Sequence, residues 1–265
     1  MKKYLSILML CVLLAFSAAC SQQPKTSEPP ASTEAPSPEM SESTPVKTSE
    51  PAVAVFTDAM LEAKVREAMG KLTGDITIEE AKAILKLDLS NESFDEMTSQ
   101  NGGIRDISDL KYFTYLEELN ISFNDISDFT PLAELKSIKT LWFTGVCPND
   151  LSVLKGLTNM TCLIFDWTCD EDQRQNGNIS LDFMSDMKDL EIFSASGGGI
   201  KDISALSGLT KIWSLYLDEN SITDISSLAN LTKLKELKLS NNPISDYSPL
   251  KDIYPKLDFS DFEMK

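Results

Sequence analysis

DISALSGLTKIWSLYLDENSIT (residues 202–223) runs directly into DISSLANLTKLKELKLSNNPIS (residues 224–245). Each stretch is 22 residues long, and apolar residues fall at the same offsets: Ile203/Ile225, Leu206/Leu228, Leu209/Leu231, Ile212/Leu234, Leu215/Leu237, Leu217/Leu239 and Ile222/Ile244. Asn220 and Asn242 also match. Self-similarity at one fixed period marks a stacked repeat. The Leu-x-Leu step alternates with period two, so it reads as a short strand with its leucines inward. The apolar residues at every third position before it suit a 3₁₀-like or irregular return. An Asn at the turn can bond backbone groups of its own coil and the next. One coil cannot bury its apolar side alone. Stacked coils can, with strands about 4.8 Å apart in a parallel sheet on the concave face.

Working outward from this pair places further strands at residues 87–89, 119–121, 141–143, 163–165, 193–195 and 257–259, about eight in all. Two steps exceed 22 residues, which puts insertions near 92–102 and 166–178. Ahead of the repeats, a helix is expected from about Asp58 to Met69, with Thr57 as its N-cap, a Phe56–Leu61 staple and Gly70 as its stop. Thr77 and Glu80 form a capping box that opens a second helix toward Ile84. These helices would cover the open end of the first strand. Phe262 is expected in the seal at the other end. The expected fold is an α/β solenoid: a leucine-rich repeat with a parallel concave sheet, a 3₁₀ or irregular convex side and an N-terminal helical cap.

Residues 1–20 read MKKYLSILMLCVLLAFSAAC. Lys2 and Lys3 precede an apolar stretch at residues 4–16 that is too short to span a bilayer. Ser17-Ala18-Ala19 is a small-residue cleavage region, so residues 1–19 read as a secretory signal. Cys20 follows, in a context that resembles the lipobox of bacterial lipoproteins, with Ser17 where Leu is usual. The resemblance implies lipidation of Cys20. The plainer reading is an ordinary cleaved signal with an incidental cysteine. Several acyl chains on one residue would anchor the chain stably. Residues 21–51 hold seven Pro, eleven Ser or Thr and no aromatic residue, so they cannot bury enough surface to fold. They read as a tether whose reach is on the order of 90 Å at most. Residues 52–84 are then the cap and residues 85–265 the repeats.

The net charge is −17, and loss of Lys2 and Lys3 with the signal takes it to −19. Such acidity argues against nucleic acid and against a peripheral patch on anionic lipid. No histidine is present, which removes histidine-based catalysis and the commonest metal ligand.

The phrase I-x-D-[I/F/Y]-S recurs at Ile104-Arg105-Asp106-Ile107-Ser108, Ile200-Lys201-Asp202-Ile203-Ser204, Ile222-Thr223-Asp224-Ile225-Ser226 and Ile244-Ser245-Asp246-Tyr247-Ser248, and begins again at Ile126-Ser127-Asp128-Phe129. With the 22-residue period and the helical cap, residues 56–265 resemble the internalin-type leucine-rich repeats of bacterial surface proteins. The resemblance implies a protein-recognition solenoid at the cell surface. The chain departs from the internalins in its lipid-anchor signal, in its two insertions and in lacking a following immunoglobulin-like or wall-sorting segment. A host-receptor role therefore does not carry over.

Strand geometry turns the residues between the paired apolar positions toward the concave face. Most are small or polar. Trp142, Ile164, Ile192 and Tyr216 are not, and with Asp166, Ser194 and Asp218 beside them, and Trp167 just beyond, they have the composition of an interface. The competing reading has the 166–178 insertion folding back over these rings. The column Asp106, Asp128, Asp150, Asp202, Asp224, Asp246 invites a calcium site, but its members sit in separate coils, and turn-capping explains them better. No metal or cofactor is expected. Cys147 and Cys169 lie 22 residues apart, within disulfide reach across neighbouring coils. Two half-buried free thiols are the alternative. Cys162 is expected on the concave face, unpaired.

The leading expectation is a surface-anchored, monomeric module that binds a protein or peptide and touches the membrane only through its lipid. A glycan- or wall-binding adhesin is the first alternative. An enzyme using Asp166 and Asp218 on a glycan is the second, although strand spacing sets those carboxylates roughly 10–15 Å apart.

Overall fold

The computed structural model describes residues 51–91, 103–146, 148, 150–166 and 179–264. Eight parallel strands form one sheet in chain order. They are β1 (Lys86–Asp88), β2 (Glu118–Asn120), β3 (Thr140–Trp142), β4 (Cys162–Ile164), β5 (Ile192–Ser194), β6 (Ser214–Tyr216), β7 (Glu236–Lys238) and β8 (Phe259–Ser260). Short 3₁₀ turns such as Ser204–Gly208 and Ser226–Asn230 form the return side. This is the leucine-rich-repeat solenoid.

Register explains the 22-residue period. Leu87, Leu119, Leu141, Leu163, Phe193, Leu215 and Leu237 pair in series and are buried. The inward position two residues later runs Leu89, Ile121, Phe143, Phe165, Ala195, Leu217, Leu239, also buried. Size is balanced in the middle coils: β5 carries a large Phe193 beside a small Ala195. Phe143 stacks on Phe165 with centroids 5.1 Å apart, and Phe165 leans on Phe193 at 5.6 Å. Such interdigitation of large and small side chains fills a core without strain.

Two polar ladders hold the coils to one another. Asn220 donates to the carbonyls of Ala195 at 2.8 Å and Leu217 at 3.0 Å, and accepts from the N–H of Ile200 at 2.9 Å. Asn124 and Asn242 repeat the pattern. At the same offset β3 has Val146 and β5 has Gly198, so the ladder is interrupted in the middle. Each member of the Asp column accepts the N–H two residues on: Asp106 from Ser108, Asp128 from Thr130, Asp150 from Ser152, Asp202 from Ser204, Asp224 from Ser226 and Asp246 from Ser248. These carboxylates close turns, as expected. The residue after the concave polar position turns left-handed at Phe123, Gly145, Gly197, Glu219 and Asn241. Gly145 is needed twice over, because a Cβ there would also meet the Phe123 ring at 2.6 Å.

The cap has helix α1 (Ala59–Met69) and helix α2 (Ile78–Lys82). Gly70 ends α1 with φ 62°, and the Thr77–Glu80 capping box opens α2, both as expected. The N-cap of α1 is Asp58 and not Thr57. Asp58 Oδ1 accepts from Met60 and Leu61, while Oδ2 accepts from the N–H groups of Arg105 and Asp106. One carboxylate thus caps the helix and clips it to the first coil, which a threonine hydroxyl could not do. Thr57 instead donates its N–H to the buried Asp109 at 2.6 Å. Phe56 packs edge-on to Tyr112 at 6.0 Å, on the first coil.

The last strand also differs from expectation. Residues 257–259 were to carry inward Leu257 and Phe259, but Leu237 pairs with Ser260 and Glu236 with Phe259. The final coil is one residue longer than the period, so Phe259 turns outward and is 45% exposed. Phe262 supplies the seal, stacked on Tyr247 at 5.2 Å and against Tyr254 at 5.6 Å. The insertions near 92–102 and 166–178 lie outside the described residues, apart from Asp166 and, in the first, its flanks. Cys20 and residues 21–50 of the tether lie outside them too.

Candidate ligand-binding face

Three side-chain columns turn toward the concave side: one before each central inward residue, one after it and one three after it. In the middle they read Thr140, Cys162, Ile192, Ser214, Glu236; then Trp142, Ile164, Ser194, Tyr216, Lys238; then Thr144, Asp166, Ser196, Asp218, Ser240. The expected site residues Trp142, Ile164, Asp166, Ile192, Ser194, Tyr216 and Asp218 are therefore brought to one face. Trp167, Cys147 and Cys169 lie outside the described residues.

They do not share one depth. Ile164, Ile192, Tyr216 and Asp218 are half-buried. Trp142 is only 8% exposed, Ser194 is buried and Asp166 is 1% exposed. This corrects the reading of all seven as outward-facing contacts. Alternation gives direction but not depth: Trp142 lies in the same column as Asn120 and Ile164, yet it is far more buried than the alternation alone conveys. Cys162 is buried as well, a free thiol on the concave side rather than an exposed one. Burial, with a smaller push from the Glu118 charge, raises its pKa to about 12.

Two hydrogen-bonded groups lie across the face between β4 and β7. Asp166 Oδ1 accepts the Ser194 hydroxyl at 2.6 Å and the Ser196 N–H at 2.8 Å. The Ser196 hydroxyl donates to Asp218 at 2.7 Å. One strand on, Glu236 Oε2 accepts from Tyr216 OH at 2.6 Å and from the Ser214 hydroxyl at 2.9 Å. Lys238 places its ammonium 4.4 Å from the centre of the Tyr216 ring, a cation–π contact. Burial dominates at Asp166 and pushes its carboxyl up to about 6. The two serine donors and Lys238 oppose the rise, while the Asp218 charge adds to it.

Asp166 and Asp218 sit within hydrogen-bond distance of one serine, closer than strand spacing implied. They still make a poor catalytic pair. Both groups of a glycosidase must reach the sugar, and Asp166 is closed off. Among the described residues no cluster of three or more His, Cys, Asp or Glu is placed to hold a metal.

Glu236 and Lys238 occupy concave positions that alternation from Leu237 implies, and the half-exposed Trp213 and Phe259 stand beside this face without a sequence signal of their own. Trp213, 37% exposed, directly precedes β6 and donates its backbone N–H to the Glu191 carbonyl at 2.9 Å. The Tyr216 hydroxyl was a usable signal, because a half-buried phenol needs a partner. The register offers Glu236, diagonal to it on the next strand.

Comparison with known proteins agrees with the solenoid fold. A family model described as Leucine Rich repeats (2 copies) matches residues 214–252. Among solved structures the chain is similar to internalin C2 of Listeria monocytogenes, at 29% identity and TM-score 0.63, over 82% of this chain and 99% of that one. Another internalin of that organism, inlF, aligns at 25% identity and TM-score 0.47, over 80% of this chain and 78% of that one. No curated protein sequence matches the chain. The protein is a leucine-rich-repeat solenoid. Its repeats are similar to those of internalin C2 of Listeria monocytogenes.

Proposed function

We propose that the chain is an extracytoplasmic recognition module, anchored through lipid on Cys20, that takes a protein or peptide on its concave face and performs no chemistry of its own. The carrying observation is the graded middle of that face. A buried layer of Trp142, Ser194 and Asp166 supports half-open Ile164, Ile192, Tyr216 and Asp218 on a hydrogen-bonded sheet. A mixed apolar and polar surface on a rigid support is what a protein interface uses. The signal-like residues 1–19 and the tether that follows support the placement outside the cell.

Pull-down from surface extracts with the parent and with an Ile192→Ser/Tyr216→Ser variant tests the face. Retention by the parent and loss by a variant that still unfolds cooperatively, with a melting temperature lowered by no more than about 8 °C, is expected. Equal retention by both would sink the reading, and retention that survives protease treatment of the target would transfer it to a glycan. Cys20→Ala should move the protein out of the membrane fraction. If it stays, the lipid anchor is wrong.

A further inference from the structure

The concave face carries acids that are held in place but not neutralised. Elsewhere along the sheet, Lys86 pairs with Glu118 and Lys139 with Glu117, each at 2.7 Å. Asp218 and Glu236 differ. Their hydrogen bonds come from neutral hydroxyls, of Ser196 for the first and of Ser214 and Tyr216 for the second. Neither forms an ion pair with a cation of the described residues. Lys238, on the same strand as Glu236, is turned to the Tyr216 ring and pairs with neither.

A hydroxyl orients a carboxylate without cancelling its charge. Both groups are half-buried, so a cation brought to them is screened less than at an open surface. With Asp166 beneath, three carboxylates face one ammonium across β4 to β7, on a chain of net charge −17. An anionic partner would meet that charge directly. Beside the acids, Ile192 offers an apolar contact one strand from Ser214.

We propose that the β5–β7 part of the concave face seats an extended cationic segment of a partner protein, with a lysine or arginine set against Asp218 and Glu236 and an apolar side chain against Ile192. The inference rests on the recognition reading above and names its partner's chemistry. A lysine or arginine there converts two hydroxyl-bonded acids into charge-assisted pairs.

Three fluorescent peptides on an extended Gly/Ser backbone test it with the full chain. The first carries two lysines and two leucines, the second glutamate for lysine and the third serine for lysine. The lysine peptide should bind about tenfold more tightly than the serine peptide, and the glutamate peptide should not bind. Asp218→Asn and Glu236→Gln keep an oxygen for the hydroxyl donors and remove only charge. Each should cut lysine-peptide affinity about fivefold at unchanged melting temperature. Equal binding of the lysine and serine peptides, tighter binding of the glutamate peptide, or no effect of either substitution would overturn the inference. The pull-down separates this from failure of the recognition reading. Capture lost with Ile192→Ser/Tyr216→Ser but kept with Asp218→Asn and Glu236→Gln refutes the cationic segment alone. Capture indifferent to all four refutes the face, and the inference with it.

Discussion

The Ser194 hydroxyl donates a 2.6 Å hydrogen bond to Asp166 across the β4–β5 pairing. The bond partly offsets the rise that burial gives this carboxyl, from the usual 3.8 to about 6, so between about pH 4 and pH 6 the folded chain holds a proton that the unfolded chain has released. Stability from this group is full below about pH 4, falls as pH rises to about 6 and stays low above it. The span corresponds to roughly 2–3 kcal/mol. Asp166→Asn keeps an acceptor for Ser194 and cannot ionise. Urea midpoints should show it more stable than the parent near neutral pH and equal to it near pH 4.

Asp58 has the opposite sign. Burial works against its charge, but N–H donors from Arg105, Leu61, Asp106 and Met60 outweigh that and hold its pKa below the ordinary value. Its contribution is present above the unfolded pKa and is lost as pH falls through the folded one. Asp58→Ala should cost roughly 2 kcal/mol through the lost cap and the two bonds to the first coil. Amide exchange at Arg105 and Asp106 should accelerate. Unchanged exchange there would mean that the cap is held by packing alone.

The asparagine ladder should be uneven. Asn220 is buried and accepts from both Gly198 and Ile200, whereas Asn242 is half-buried and accepts from Ile222. Asn220→Ala should cost about 3 kcal/mol and Asn242→Ala about half as much, because orphaned groups at the second site can reach water. Equilibrium denaturation of the two variants gives the comparison.

Trp142 and Tyr216 share a column but not a depth. Trp142→Ala should lose about 3 kcal/mol, as for a buried ring, and Tyr216→Ser about 1 kcal/mol. Equal small losses in calorimetry would return Trp142 to the open surface.

Cys162 should resist alkylation in the native protein. Its thiol, pushed up to about 12 by burial first and by Glu118 second, carries almost no thiolate at neutral pH. Peptide mapping after iodoacetamide treatment should find Cys162 modified only after denaturation. The same denatured sample counts the thiols of Cys147 and Cys169, and three alkylated positions would exclude a bond between those two.

Much of the solenoid was legible because its period is enforced by burial. Leu215 and Leu237 must face inward in register, and any slip would turn them to solvent. Where side chains of similar type compete, residue order does not decide. Thr57 and Asp58 are both good caps, and the choice falls to Asp58 because Arg105 and Asp106 need its second oxygen. Phe259 looked inward by polarity, but one extra residue in the last coil gives that position to Ser260. At the face, alternation placed Trp142 and Tyr216 on one side. The relay from Asp166 through Ser196 to Asp218 was not legible, since it depends on how deeply each column sits.

Strand order along the sheet equals order along the chain. Every coil therefore rests on the one synthesised just before it, and no strand waits for a distant mate. With α1 and α2 emerging first as a template, the sheet can grow one rung at a time while the rest of the polypeptide is still inside a ribosome or export channel. Assembly of this kind is vectorial, and it exposes only one unfinished edge at any moment.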